Sequence, residues 1–474
     1  MKRVYLYFII LIALLPSGKR LIAQEWLGIA GSNFAGNTGL NINPATVVGA
    51  PFNKEFHLFS MGLSVHNNYV YLPRYSKSIF KLTKGDIKKQ SVSDRYTQSP
   101  DKQAYYKLDV RGPGKMRSSE NSGFAWNLAY RHAMSARDVD YHIAKFMLEG
   151  FNYYPQHKIN FTTDPYKLNF MSFYEIGITS GRSLIQSDLH YLTTGVTGSL
   201  DIGNAAFFAD GKNMDYYLPN SEELNVSNVN LDYGYAFGGQ RITPFDLLRP
   251  RGIGGHFNIG LNYMNGRNPS AYNGKAKAKL YNYRVGVSLI DVGTIQYMNQ
   301  TKYFSYTNRN TVWLGIDTTD FKNLAYNDSM LGVKFTGAPD GAYITDNFRM
   351  YHPAAFSIQA DYAVTRHIYV GATWVQHINL FAHQVQRSDI IAITPRYETR
   401  KFEIALPYSF YNYYQHRLGL AFRYKWFFAG SDRLGAFTGL YNLDGIDIYF
   451  GFKFFASTKK KNTKFKPSDC YNRF

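Results

Sequence analysis

The sequence holds one cysteine, Cys470, in 474 residues, so no internal disulfide can staple the fold. It has no apolar run long enough for a transmembrane helix. The run Val4 to Leu15, VYLYFIILIALL, has 12 residues, against the ~20 needed to cross a bilayer. No Pro/Gly/Ser-rich spacer and no midway shift in composition divides the chain, which leaves one large domain as the simplest organisation. Gly-x-Ser-x-Gly and His-Glu-x-x-His are absent, and no metal-ligating cluster or phosphate loop is apparent. The commonest hydrolase and nucleotide signatures are therefore missing, and no enzymatic activity or cofactor is expected. Acidic residues are few: 34 Asp plus Glu stand against 53 Lys plus Arg, a formal net charge of +19.

The first residues explain part of that balance. A basic head, MKR, precedes the apolar run, and LIA precedes Gln24. This is the layout of a secretory signal over residues 1–23, cleaved after Ala23, rather than a retained anchor. No cysteine follows to direct lipoprotein processing. Export argues against nucleic acid as the partner of the basic charge. Anionic lipid, lipopolysaccharide, acidic glycans or peptidoglycan fit better. An exported chain without a transmembrane helix either floats in a periplasm or forms a barrel in an outer membrane.

What is abundant is tyrosine (40) and phenylalanine (35), in segments that alternate with period two. In IDIYFGFKFF, Ile446, Ile448, Phe450, Phe452 and Phe454 oppose Asp447, Tyr449, Gly451, Lys453 and Phe455. In HRLGLAFRYKWFF, Leu418, Leu420, Phe422, Tyr424, Trp426 and Phe428 oppose Arg417, Arg423 and Lys425. AFSIQADYAV sets Phe356, Ile358, Ala360, Tyr362 and Val364 against Ser357, Gln359 and Asp361. SGFAWNLAYRHA sets Phe124, Trp126, Leu128 and Tyr130 against Asn127 and Arg131. GGHFNIGLNYM sets Phe257, Ile259, Leu261 and Tyr263 against His256, Asn258, Gly260 and Asn262.

Successive strand residues point to opposite faces, so each segment is a strand with one greasy side. A soluble sandwich shows the same period with the greasy side inward. A transmembrane barrel shows it with the greasy side toward lipid. The signal segment, the chain length and the number of such strands favour the barrel. The charged faces suit a wet lumen, and the rings toward strand ends suit an interfacial girdle.

The expected fold is all-β: a transmembrane antiparallel barrel of about 14 strands over residues 54–456, with short helices in its loops. Val364–His367 and YETRKF read as tight turns. Tyr75–Ser119 and Phe304–Tyr351 read as long polar loops, and residues 200–250 resist parsing. Residues 457–474 form a basic tail, expected in the periplasm and suited to contacts with peptidoglycan or envelope proteins. The lumen-facing candidates are Arg131, Asp361, His377, Arg417, Arg423, Lys425, Asp447 and Lys453. Gly451, Phe452, Phe454 and Phe455 lie in an aromatic last strand of the kind that barrel-insertion machinery recognises. Asp291 falls by parity on the lipid side of YRVGVSLIDVGTIQY. It must therefore sit near a rim or follow a bulge that switches the face.

Residues 24–53 include GSNFAGNTGLNINPATVVGAP, rich in Gly and Asn and not alternating. Asn43 is placed to N-cap a short helix that opens at Pro44. Such a segment folds back into a lumen as a hatch, which makes Asn33, Asn43 and Pro44 gating candidates. NINPA ahead of FNKEFHLFSMGLSVHNNYVYL resembles the start of an uncharacterised family of Bacteroidota outer-membrane barrels. Tyr283–Tyr297, Ala360–Gln376 and Ala392–Asp432 extend that resemblance over most of the chain. The Asn-Pro-Ala element is also similar to that of long-chain fatty-acid transporter-type barrels. That resemblance implies 14 strands, an N-terminal hatch and passage of hydrophobic molecules sideways into the membrane.

Two functional classes follow. One is a channel or carrier for small or hydrophobic molecules. The other is a non-enzymatic accessory barrel in a secretion or surface-assembly complex. An open water path would favour the first and a packed interior the second. A hydrolase built on His377 or His383 ranks last, because no nucleophile motif accompanies them. Asp138–Phe151 reads as a short amphipathic helix, either packing in a loop or gating.

Overall fold

The structure is a computed structural model. It describes residues 25–73, 93–94, 101–187, 189–237, 248–268, 279–413, 415–438 and 442–456. The expected signal segment and basic tail lie outside the described residues.

Fourteen antiparallel strands close into a barrel. They are β1 (Lys54–Asn67), β2 (Asp101–Ser118), β3 (Ser122–Asp140), β4 (Tyr166–Gln186), β5 (His190–Gly211), β6 (Gly252–Asn265) and β7 (Tyr283–Tyr297). Then come β8 (Ala355–Ala363), β9 (Ile368–His377), β10 (Ile390–Glu398) and β11 (Phe402–Ala405 continued as Tyr408–Tyr411). The last are β12 (Gln415–Leu418 continued as Leu420–Tyr424), β13 (Phe427–Ser431) and β14 (Gly445–Ala456). Closure comes from β1 pairing with β14, from Lys54 opposite Ala456 to His66 opposite Gly445. A closed sheet leaves no unpaired edge, which is the condition for strands to cross a bilayer.

The alternation decides the faces. Phe124, Ile178, Val196, Phe257, Ile259, Val287, Phe356, Ile393 and Phe422 are exposed on the outside of the barrel. Their charged neighbours, such as Arg131, Asp361, Arg417 and Arg423, are buried within. At the rim that carries the short turns 119–121, 364–367, 399–401 and 425–426, Tyr283, Tyr362, Tyr397, Tyr424 and Trp426 are exposed. This is the interfacial ring that a lipid-embedded barrel requires. Among the described residues no helix is long and apolar enough to span a membrane.

The opposite rim carries the long connections. α3 (Tyr141–Glu149) joins β3 to β4, with the Asp140 carboxylate capping the amides of His142 and Ile143. Glu223–Ala236 pairs with the end of β5, from Ala236 opposite Ala206 to Leu231 opposite Gly211. It pairs also with Thr301–Leu314, from Glu223 opposite Leu314 to Ala236 opposite Thr301, so the sheet continues past the rim. α4 (Leu324–Thr336) caps this extension, its Asp328 carboxylate accepting the Tyr233 hydroxyl at 2.9 Å and also the Tyr235 hydroxyl. α1 (Leu27–Ala30) and α2 (Asn37–Leu40) belong to the segment inside the lumen.

Three expectations need correction. Asp101–Ser118 is a wall strand, not part of a loop. Its alternation is broken by Gly112-Pro113, where the inward set shifts from Asp109 and Arg111 to Gly114 and Met116. Thr301–Leu314 and α4 fill much of the stretch read as a polar loop. His416–Phe428 is not one strand: the chain turns at Lys425, with φ of 53°, and Trp426. Past that turn the parity changes, so Phe428 is buried inside and does not face lipid.

Candidate functional site: a plugged lumen

The lumen is occupied by residues 25–53, nearly all of them buried. Asn43 shows how the segment is held. Its Oδ1 accepts the Ala45 amide at 3.0 Å and caps the single turn Pro44–Val47, a 3₁₀ helix with Pro44 at its start. Its Nδ2 donates to Leu261 O of β6 at 2.9 Å and to Gln359 Oε1 of β8 at 2.9 Å. The wall makes room with glycine. A Cβ on Gly195 would lie 2.4 Å from Pro44 O, and one on Gly260 2.2 Å from Asn43 Oδ1. Only a bare backbone admits the plug this closely.

Other contacts pin the segment elsewhere. Lys453 Nζ of β14 donates to Phe34 O and Ala35 O, both at 2.8 Å. Glu55 Oε2 of β1 accepts the Asn37 amide at 3.0 Å. Asn33 donates its amide to Glu398 Oε2 at 3.3 Å and accepts the Tyr281 hydroxyl at 3.0 Å. Arg423, paired with Glu403 at 3.0 Å, lies 4.7 Å from the Phe34 ring. Trp26 packs on Phe428 and Tyr449 at 5.9 and 5.8 Å between centroids, and Phe52 on Phe455 at 4.6 Å. Between α1 and the wall from β7 to β10 the free space falls to about 20 Å³, room for little more than a water.

Above and beside the plug the wall's own ions pair across the lumen. Arg131 bonds Asp291 of β7 at 3.0 Å, Asp109 of β2 at 3.1 Å and Glu175 of β4 at 3.1 Å. Arg387 reaches the same Asp291 at 3.4 Å and also Glu25 at the start of the plug. Lys107 lies 3.2 Å from Glu25. Asp291 enters this network because β6 and β7 slip register between Phe257 and Ile259, and Asp291 takes φ of 55°. A bulge turns its side chain from the lipid side to the lumen. Asp361 pairs with Arg396 at 2.9 Å and with Arg284 at 3.3 Å, and it accepts the Tyr281 hydroxyl.

The remaining candidates are placed as follows. Arg417 lies buried over the Tyr411 ring at 3.5 Å, and Asp447 accepts the Asp432 amide at 2.8 Å. His377 Nδ1 lies 2.6 Å from Asp389 Oδ1, and its Nε2 is 3.1 Å from Arg137. Gly451 faces inward against Ser60, and Phe455 packs on the plug. Phe452 and Phe454 face outward and stack with Trp426 at 5.6 and 6.4 Å. Lys425 does not line the lumen: it sits exposed in the turn between β12 and β13, because the strand ends one residue earlier.

Among the described residues no catalytic arrangement stands out. His383 Nδ1 lies 3.1 Å from Asp210, and its ring sits 3.8 Å from that of Phe208. Ser60 Oγ lies 2.8 Å from His57 Nε2, whose Nδ1 is 3.6 Å from Glu55. All three are buried, and Glu55 is already committed to the plug. The grouping is a dock for α2. Alternation alone identified Arg131, Asp361, Arg417, Arg423 and Lys453. It missed Arg387, which lies off any strand, and Asp109, which lies just before the break in β2.

The wall is locally weakened between β1 and β2. β1 and β2 pair at His57 with Gly114 and again at Ser60 with Arg111, skipping Leu58–Phe59 and Gly112–Pro113. Pro113 has no N–H to donate to the ladder. On the inside, next to this gap, Arg111 Nη1 donates to Asn41 Oδ1 of the plug at 2.8 Å.

Over residues 44–432 the sequence matches a family of unknown function (DUF5723). The chain belongs to that family. No curated protein matches it. Among solved structures, a TodX deletion mutant described as a monoaromatic hydrocarbon channel is 10% identical, with 89% of this chain and 95% of that chain covered and a TM-score of 0.42. The Ralstonia pickettii toluene transporter TbuX is 8% identical, covering 89% and 94%, at 0.40. A Pseudomonas aeruginosa FadL homologue is 10% identical, covering 92% and 97%, at 0.28. Superpositions this loose carry no information about what the family member handles.

Proposed function

We propose that this family member is an outer-membrane barrel that passes small or hydrophobic molecules, closed at rest by residues 25–53. One observation carries the reading. The lumen is stopped by a continuous segment lying inside the wall, and many of its anchors are single hydrogen bonds and ion pairs. Each such contact stabilises by about 1–3 kcal/mol and can be exchanged for water. The unpaired stretch of β1 and β2 beside the plug supplies a second soft place, in the wall itself.

A closed lumen also fits an accessory barrel. The favouring observation is the sheet beyond the long-loop rim. It carries an open cleft of about 700 Å³ whose lining mixes apolar Phe161, Tyr216 and Val226 with polar Asp215, Asn225 and Asn310. The plug distinguishes the two readings, since a scaffold needs no removable stopper.

The test is single-channel recording and liposome swelling with the wild type and with a deletion of residues 28–50. The expected result is a mostly closed wild type and a persistently conducting deletion. Absence of conductance and uptake in both, with both barrels folded, refutes the channel.

A further inference from the structure

Three side chains from separate elements meet inside the barrel away from the plug: Asp201 of β5, His256 of β6 and His352 ahead of β8. One donor atom from each lies within 4.8 Å of the other two, and all three residues are buried. His256 Nδ1 is 2.8 Å from Asp201 Oδ2. His352 Nε2 is 3.0 Å from the same oxygen, without the alignment of a hydrogen bond. Both nitrogens of His352 and Asp201 Oδ1 lack hydrogen-bond partners, although His352 is 0% exposed. A buried imidazole with neither nitrogen satisfied is costly unless something else occupies the space between donors.

The surroundings define what that something is. His256 Nε2 faces Asp291 at 3.7 Å and Glu175 at 3.9 Å. With no ion bound, an Nδ1–H donates to Asp201 at 2.8 Å; an ion on Nδ1 would leave the ring proton on Nε2, facing those carboxylates. Carboxylates behind a histidine orient metal ligands in this way. The wider cluster also lacks positive charge. Glu25, Asp109, Glu175, Asp201 and Asp291 stand against Lys107, Arg111, Arg131 and Arg387, which leaves one negative charge over with both imidazoles neutral.

We propose that Asp201, His256 and His352 bind one divalent transition-metal ion of the zinc class. Two imidazole nitrogens and one carboxylate oxygen are the donor types such an ion takes, with a fourth position left for water. The ion would tie β5 and β6 to the segment that enters β8. The ligands come from distant parts of the chain, so no sequence spacing announces them. The proposal rests on these three ligands and not on any transport activity.

The test uses the full protein in detergent, stripped with a chelator, then loaded with Co²⁺ or Zn²⁺ and desalted. Bound metal is measured by mass spectrometry and cobalt ligand-field absorption. The expected result is about one ion per chain, with the strong visible bands of a low-coordinate cobalt site, and a Zn²⁺-dependent rise in unfolding temperature that Mg²⁺ does not give. His352→Ala and His256→Ala should lose the ion, and His377→Ala should retain it. Failure of the wild type to hold metal overturns the proposal and assigns the missing charge to a proton. Retention of wild-type metal by both folded variants overturns it equally. The wild-type loading and Mg²⁺ comparison stand even where a variant does not fold.

Discussion

Asn43 is the contact where the plug is most exposed to a clean test. Asn43→Ala removes the cap of the turn Pro44–Val47 and two bonds to the wall, at Leu261 O and Gln359 Oε1. A lost N-cap costs about 1 kcal/mol, and each neutral hydrogen bond about 1 kcal/mol. The sum is about 3 kcal/mol, or about 150-fold in the ratio of docked to undocked plug. Asn43→Ser keeps the cap and loses only the wall bonds, so it should cost about 2 kcal/mol, or about 30-fold. The amides of Thr46 and Val48 report the turn, since they donate to Asn43 O and Ala45 O. Hydrogen exchange should lose protection at these amides in that graded order, with β14 amides unchanged. Single-channel open probability should rise in the same order. Protection of Thr46 and Val48 unchanged in Asn43→Ala would refute the docking argument. An equal loss in β14 would show that Asn43 holds the barrel rather than the plug.

Lys453→Met removes two charged bonds to plug carbonyls, and relief from burying the ammonium offsets part of the loss. A net cost of about 2 kcal/mol, about 30-fold in open probability, is expected, and an unchanged open probability counts against it. Gly195→Val puts a Cβ where Pro44 O lies 2.4 Å away, so the plug cannot seat; a folded variant that stays closed contradicts this. Burial raises the Asp328 carboxyl above the ordinary carboxylate range. The folded protein therefore holds that proton more readily than the unfolded chain, and stability falls as pH rises through the folded value. Protection of α4, corrected for intrinsic exchange, should fall as pH rises above the ordinary aspartate value of about 4 in the wild type and stay flat in Asp328→Asn. Matching profiles in the two proteins would remove Asp328 from the account.

Period-two alternation made β3, β6, β8 and β14 legible, because lipid on one side and a polar lumen on the other impose opposite demands on successive residues. It failed in physical ways. β2 carries Gly112-Pro113 at mid-strand, and Lys115 and Arg117 follow on its outer face, so neither face reads as purely apolar. β12 and β13 are joined by a two-residue turn with no glycine, since Lys425 itself takes the left-handed conformation. Asp291 illustrates the opposite outcome. Its forbidden parity left a rim position or a bulge as the two ways out, and the structure has the bulge, with partners the parity did not name. Asn43 and Pro44 carried a local capping signal, whereas the Arg131 network joins residues of β2, β3, β4 and β7 that no local pattern links.

The polarity of the lumen bears on how the plug can move. A greasy interior would hold a plug by burial, and its departure would expose apolar wall to water at about 25 cal/mol per Å². Here the vacated wall would be mixed: apolar Met264, Phe428 and Tyr449 pack on the plug, and beside them stand the polar groups Gln359, Arg423, Glu403, Lys453, Asp361 and Arg396 and bare backbone at Gly195 and Gly260. Water satisfies the polar groups as soon as the plug leaves. The wall stays braced without it, because Arg131 links β3 to Asp291 of β7 and Arg396 links β10 past β9 to Asp361 of β8. The barrel therefore keeps its shape while its stopper exchanges protein contacts for hydration. Opening then costs both the exposure of the apolar clusters around Trp26, Phe34 and Val47 and a set of directional contacts, and the graded response of Asn43→Ser and Asn43→Ala measures the second part.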